Sequence, residues 1–452
     1  MKFTPRKIQE PMINAVINMS RCALWASMGS GKTSAMLYAF KLLNLFRPLT
    51  ALVVGPKRVI ESTWPKQREQ FDDFHDLKFS VIAGTMKQRL NAIDTPADIY
   101  CVSFNNLQWL YDVGKNLHID MVIIDEATHV KSFRLRKGSK RAKALYKFCK
   151  ERKILRLVEL TGTPGSNGLI DLWGQVFFLD NGTHLGNTFS AFTSRWFEVI
   201  PLDTFTKYKP RPYAAEHITD AVRDFCISIR SEDYYELEKP IERDIVVELS
   251  ANYKKLYDKF ESEMYTEVEN AKIYAVNSGV LTQKCLQFTS GAIYQEDKNY
   301  MEIHDEKIDA LGSLVSELNG ESLIVAYHFR HEIDRIRKRF PDAVLFTDDK
   351  SAEQKWNNGE ILILLLHPAS AGHGLNLQYG GRNICFFTSW WAPEPRAQII
   401  ERIGPMRQLQ AGLNRSVHVF NLVVSKTIDE RVLMAHKYKM SIDAALKAGT
   451  VR

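Results

Sequence analysis

The sequence lacks any long apolar run. The longest, ILILLL at Ile361–Leu366, has the length of a strand, far below the ~20 residues of a membrane-crossing helix. The N-terminus MKFTPRKIQ is basic, but no apolar stretch follows it, so no signal peptide is expected. The six cysteines are scattered, and none forms a C-x-x-C pair. That spacing argues against a zinc site or a disulfide framework and fits core thiols in a reducing compartment. There is no internal repeat, no low-complexity tract and no N-K-x-D guanine-reading motif.

What remains is the balance of a globular protein. The 452 residues are 45% hydrophobic and 25% charged. At ~100–200 residues per domain, two or three domains are expected. The net charge of +7 permits a polyanionic partner without demanding one.

Short β-branched runs alternate with amphipathic stretches. In the first half they lie near Cys22–Ala26, Ala51–Val54, Ile99–Ser103, Met121–Ile124 and Leu157–Thr161. In the second they lie near Leu323–Tyr327, Ala343–Phe346, Ile361–Leu366, Asn383–Phe387 and Val417–Val424. Continuous apolar strands separated by helices imply parallel sheets covered on both faces. The fold class expected is therefore α/β, with two doubly wound domains. The middle, about 183–301, is richer in charge and aromatics and includes a long helical segment, Tyr253–Asn277. KYKPRPY, Lys207–Tyr213, reads as a loop, and a seam is expected near Lys239–Arg243. The boundaries that follow are 1–240, with a small helical addition about 183–238, and 241–452, with one about 250–305.

The stretch ALWASMGSGKT, Ala23–Thr33, places a Gly-Ser loop between a strand and a helix expected over Thr33–Phe46. Backbone N–H groups of such a loop, Met28, Gly29, Ser30 and Gly31 here, point at phosphate oxygens, as does the helix N-terminus. Lys32 then reaches the outer phosphates and the Thr33 hydroxyl ligates magnesium. Ala26 stands where the first glycine of the pattern is usual. Only the first half carries such a loop, so one nucleotide is expected, held by the first half and completed by the second.

VIIDEATH, Val122–His129, sets two carboxylates at the C-terminal end of an apolar strand, where ligands sit in open α/β sheets. Asp125 would bind the magnesium held by Thr33, and Glu126 would orient the attacking water and accept its proton. In LTGTP, Leu160–Pro164, the hydroxyls of Thr161 and Thr163 are candidates for coupling nucleotide state to motion. In QIIERIGPMRQ, Gln398–Gln408, Arg402 and Arg407 are candidates to neutralise charge on the transferred phosphoryl group.

In this order the motifs resemble those of superfamily two helicases, specifically Snf-type translocases of the short single-motor kind found in phages. FTPRKIQ is similar to the adenine-reading element, with Gln9 in the key place. VVGPKRVIESTW (Val53–Trp64), VSFNNL (Val102–Leu107), LIVAYHF (Leu323–Phe329) and ASAGHGLNLQ (Ala369–Gln378) match further elements, and the likeness runs from Phe3 to about Ala445. The resemblance implies two RecA-like lobes with helical additions between them, and ATP and Mg2+ as cofactors. It puts Gln398 at the nucleotide and DNA at Pro56, Lys57, Ser103 and Phe104 in one lobe and His328, Gly374 and Asn376 in the other. The implied partner is duplex or branched DNA, bound without sequence preference by a monomeric motor, alongside replication or recombination proteins and no membrane. The implied location is a bacterial or phage-infected host cytoplasm. Alternatives are an RNA helicase of the same superfamily and an ATP-gated DNA clamp with little turnover. One departure stands out: Pro405 occupies the place of the family's second arginine, and Arg407 follows two positions later. The turn at Pro405 would bring Arg407 back to the phosphates.

The run Lys131–Lys153 contains a single acid, Glu151. It reads either as a solvated face or as a surface that tracks phosphates.

Overall fold

The computed structural model describes residues 1–136, 138–201, 206–270, 274–295, 299–368, 375–391, 393–413 and 415–449. The chain divides into two compact units, the first chiefly Met1–Val199 and Tyr208–Glu236, the second chiefly Leu237–Tyr438.

In the first unit the strands are β1 (Arg21–Ala26), β2 (Ala51–Gly55), β3 (Phe79–Ile82), β4 (Ile99–Ser103), β5 (Met121–Asp125), β6 (Arg156–Thr161) and β9 (Cys226–Ile229). Two further strands, β7 (Phe197–Pro201) and β8 (Thr206–Pro210), form a two-stranded sheet of their own ahead of β9. The seven-stranded sheet runs β3-β4-β2-β5-β6-β1-β9 with every pair parallel. Alternate side chains enter opposite cores. Ala23, Trp25, Leu52, Val54, Val122 and Ile124 face one, and Cys22, Leu24, Val53, Ile123, Val158 and Leu160 the other. Burial on both faces is why these strands are continuously apolar.

The second unit holds β10 (Ile241–Val247), the small pair β11 (Ala292–Tyr294) and β12 (Tyr300–Glu302), then β13 (Leu323–Ala326), β14 (Val344–Leu345), β15 (Ile363–Leu366), β16 (Asn383–Phe386) and β17 (His418–Val424). Its six-stranded sheet, β10-β17-β16-β13-β15-β14, is also all parallel. Ile324, Leu364 and Ile384 line one core, and Val325, Leu365 and Cys385 the other. Both sheets are thus doubly wound α/β, as the apolar runs require.

Two details of the middle region differ from the sequence expectation. KYKPRPY is not a loop throughout, because Thr206–Pro210 is a strand. The addition about 183–238 is not simply helical, since Cys226–Ile229 joins the main sheet beside β1. The main division falls between Glu236 and Leu237, just before the expected seam, and the chain then enters β10, an edge strand along β17. Of the segment expected over Tyr253–Asn277, the described residues are helical, within Ala251–Asn270 and Tyr274–Thr289, with 271–273 outside the described residues.

Candidate active site

Strands β5, β6 and β1 are neighbours, so their C-terminal ends come together. Trp25 is in register with Thr161, and Asp125 with Leu160. The loop after β1, the acids ending β5 and the LTGTP turn after β6 therefore share one edge of the sheet.

In the loop, Gly29 and Gly31 have φ of 73° and 80°, a region open to glycine at no steric cost. At Gly31 a Cβ would lie 2.3 Å from Arg6 Nη2 and 2.6 Å from Gln9 Nε2. Those two side chains floor the loop. Gln9 Nε2 donates to Gly31 O at 2.9 Å and Ser34 Oγ at 3.0 Å, while Arg6 Nη2 donates to Ser30 O at 2.9 Å. Gln9 Oε1 accepts from Arg6 N at 2.9 Å. Burial lowers the Arg6 pKa. Lys32 Nζ donates to Ala26 O at 3.0 Å and Ser27 O at 3.2 Å, back onto its own loop. Met28 lies against Gly162, where a Cβ would meet its Cγ at 3.1 Å. The helix begins at Lys32, and Thr33 lies in its first turn.

Asp125 is gripped from the neighbouring segment. The indole Nε1 of fully buried Trp64 donates to Asp125 Oδ2 at 2.8 Å. Glu126 has φ 72°, an uncommon region for a residue with a side chain and one that clusters at functional sites. Its Oε1 accepts from Thr128 Oγ1 at 3.1 Å and Thr161 Oγ1 at 3.2 Å. Thr161 Oγ1 in turn accepts from Thr163 N at 3.1 Å. Thr161 and Thr163 are thus bonded into the acid pair's neighbourhood.

Of the residues expected at nucleic acid, Pro56 and Lys57 open the segment that ends at Trp64, and Lys57 is exposed. Ser103 and Phe104 are buried at the end of β4, with the Phe104 ring stacked on His129 at 4.5 Å. His328 Nε2 lies 3.2 Å from Gln283 Oε1, and burial, reinforced by His367, pushes its pKa down to about 4. Asn376 is exposed and accepts from Arg407 Nη1. Gly374 lies outside the described residues.

In the arginine segment one helix ends at Ile400 and Pro405 opens the next, Pro405–Gln410. Proline is well suited to a first helical position, where its missing N–H costs nothing. Arg402 is buried. Arg407 turns onto Asn376 beside Glu401 and Glu353, and burial lowers its pKa. Gln398 Nε2 donates to Glu394 Oε1 at 3.5 Å. Gln408 is structural, donating to Gln378 O, Gly381 O and Ile403 O.

The basic run divides in two. Arg134 lies over the Phe189 ring at 3.4 Å, Lys131 bonds Ser166 at 2.7 Å, and Arg152 bonds Leu117 O at 2.6 Å. Arg136, Lys140, Arg141, Lys147, Lys150 and Lys153 stay exposed. Their one acidic neighbour in sequence, Glu151, accepts from Tyr111 OH at 2.8 Å.

Residues 12–300 match the SNF2-related domain. The chain belongs to the SNF2-related family. It is 43% identical over 451 residues to protein p41 of Acyrthosiphon pisum secondary endosymbiont phage 1, covering 98% of each chain. It is 25% identical over 442 residues to the "Uncharacterized ATP-dependent helicase MG018" of Mycoplasma genitalium, covering 92% of this chain and 39% of that one. A solved structure, the "Sulfolobus solfataricus SWI2/SNF2 ATPase core in complex with dsDNA", is similar at TM-score 0.43 and 20% identity over 100% of this chain and 94% of that one. As an SNF2-related protein of the short phage type, the chain spans two fifths of the mycoplasma helicase but nearly all of the phage protein. Among the described residues no helix is long and apolar enough to cross a membrane.

Two side chains of the site stand outside the motif patterns. Arg6 carries no pattern of its own within FTPRKIQ, and a cation three residues before Gln9 is the signal that could flag it. Trp64 is matched by resemblance alone, and no spacing signals a bond across 61 positions.

Proposed function

We propose that this SNF2-related chain is an ATP-hydrolysing motor that translocates on duplex or branched DNA. The observation carrying this reading is the shared sheet edge of the Lys32 loop, Asp125, Glu126 and Thr161. ATP phosphates sit against the N–H groups of Met28–Lys32, and Lys32 leaves the carbonyls of Ala26 and Ser27 for them. The adenine lies toward Gln9. Thr33 and Asp125 supply one hydroxyl and one carboxylate, hard oxygen donors that fit a magnesium ion shared with phosphates rather than caged by protein. When bound, that ion neutralises phosphate charge. Glu126 orients water and accepts its proton. Arg402, Arg407 and Gln398 are the second unit's contribution to hydrolysis. DNA contacts belong to each unit separately, at Pro56 and Lys57 beside buried Ser103 and Phe104 in the first and at His328 and Asn376 in the second, mainly through phosphates and so without sequence preference. Its use is fork or branch remodelling or protein displacement in replication or recombination.

Displacement of a triplex-forming third strand from duplex DNA tests translocation. ATP-dependent displacement by the native protein, absent in Glu126→Gln, is expected. ATP-dependent duplex binding with no displacement would make the protein a clamp.

A further inference from the structure

Asp125 reaches the sheet edge in company. Gly55, on neighbouring β2, packs beside it: a Cβ there would sit 3.2 Å from Ile60 Cγ2 and 3.4 Å from Asp125 Cβ, the second an ordinary contact. Trp64 lies across it, fully buried, its indole N–H on Oδ2 at 2.8 Å. A carboxylate oxygen already bound to a rigid, buried donor is fixed in direction, and the rotamer follows.

The route by which the chain brings Trp64 there is unusual. After Pro56 and Lys57 it does not continue as a plain α-helix. Pro56 O accepts from Val59 N at 3.0 Å and Ile60 N at 3.1 Å. Val59–Thr63 then winds as a π-helix, closed by the Trp64 N–H on Val59 O. One extra residue in such a turn rotates every later side chain by about 100° relative to an α-helical path. π-turns are rare and cluster at functional sites. Here the turn is what aims the indole at β5.

We infer that Trp64 is a positioning residue for Asp125. Through the π-turn it also ties the setting of that carboxylate to the Pro56–Lys57 end of the same segment, where Lys57 is exposed. This rests on the reading of Asp125 as a metal-side carboxylate and of Pro56 and Lys57 as DNA contacts. Duplex DNA gripping Lys57 would act on the turn, hence on the indole, hence on how Asp125 is presented to a divalent ion. No lobe movement is needed for this step, because every residue in it belongs to the first unit.

The test is Mn2+ binding to the full chain with ADP, followed by electron paramagnetic resonance with and without duplex DNA. Trp64→Phe keeps the packing and removes the N–H. It should weaken Mn2+ about 5- to 30-fold while ADP affinity in EDTA stays within twofold, and duplex should tighten Mn2+ in the native chain but not in the variant. Trp173→Phe is the control: another fully buried indole, bonded to Gly186 O at 2.9 Å. It should leave Mn2+ binding unchanged. Trp64→His, which restores a ring N–H, should recover part of the loss and serves if the Phe variant does not fold. Mn2+ binding by Trp64→Phe within twofold of native, or equal weakening by the control, overturns the inference. An equal duplex effect in native and Phe chains overturns the link to DNA. The measurement needs no turnover, so a failure of the motor reading shows separately, as native protein that hydrolyses no ATP.

Discussion

Thr161 Oγ1 donates to Glu126 Oε1 at 3.2 Å, across the adjoining ends of β6 and β5. Glu126 is thereby held in a left-handed backbone conformation, at φ 72°, that costs of order 1–3 kcal/mol when nothing else supports it. The acid and the turn after β6 behave as one unit.

Thr161→Val keeps the shape and removes the donor. A hydrogen bond to a charged group contributes ~1.5–3 kcal/mol. DNA-stimulated kcat should therefore fall about 10- to 100-fold, with the KM for ATP within twofold. Steady-state kinetics checks this, and a change confined to KM would assign Thr161 to binding alone.

Glu159 sits fully buried in β6, its Oε1 without a hydrogen-bond partner among the described residues. Burial, with a smaller push from Asp180, raises its pKa well above the ordinary 4.5. The folded state then holds a proton that the unfolded chain releases, so stability falls as pH rises above about 4.5 toward the folded value. Glu159→Leu should stabilise the first unit by ~1–3 kcal/mol at neutral pH, with less effect at pH 4. Thermal denaturation at both pH values measures it.

The opposite sign holds for His331 in the second unit. Burial first, then Arg335 and His328, push its pKa down to about 3 from 6.5. Its folded form stays neutral where the unfolded one charges, so stability is full above pH 6.5 and falls on acidification toward pH 3. His331→Gln should flatten the acid limb of a Tm-versus-pH curve between pH 6.5 and 4.5. An unchanged limb would place the acid sensitivity elsewhere.

Much of the site is legible in the sequence because phosphate chemistry demands local patterns. Gly29, Gly31, Lys32 and Thr33 are close neighbours in sequence, and Asp125 and Glu126 end an apolar strand that only a two-sided core explains. Other features are hidden for physical reasons. Phe79–Ile82 and Cys226–Ile229 are four-residue strands, too short to establish a period. Ile241–Val247 is an edge strand, largely exposed at its start, and its charges Glu242, Arg243 and Asp244 mask it. Trp64 and Asp125 meet only once the sheet forms.

The exposed face Lys140, Lys147 and Lys150 is expected to follow DNA phosphates. Replacing all three with Gln should lower the slope of log affinity against log salt on duplex DNA by ~0.9 for each phosphate these lysines neutralise. Fluorescence anisotropy across a salt series gives the slope. If it does not change, the lysines are solvated surface.

The most direct test of the central claim is steady-state ATP hydrolysis with magnesium, alone and with duplex DNA, single-stranded DNA or RNA, using Glu126→Gln as the zero. The account predicts hydrolysis stimulated at least tenfold by duplex DNA and abolished by the substitution. Stimulation by RNA alone, or no hydrolysis with any of them, would contradict it.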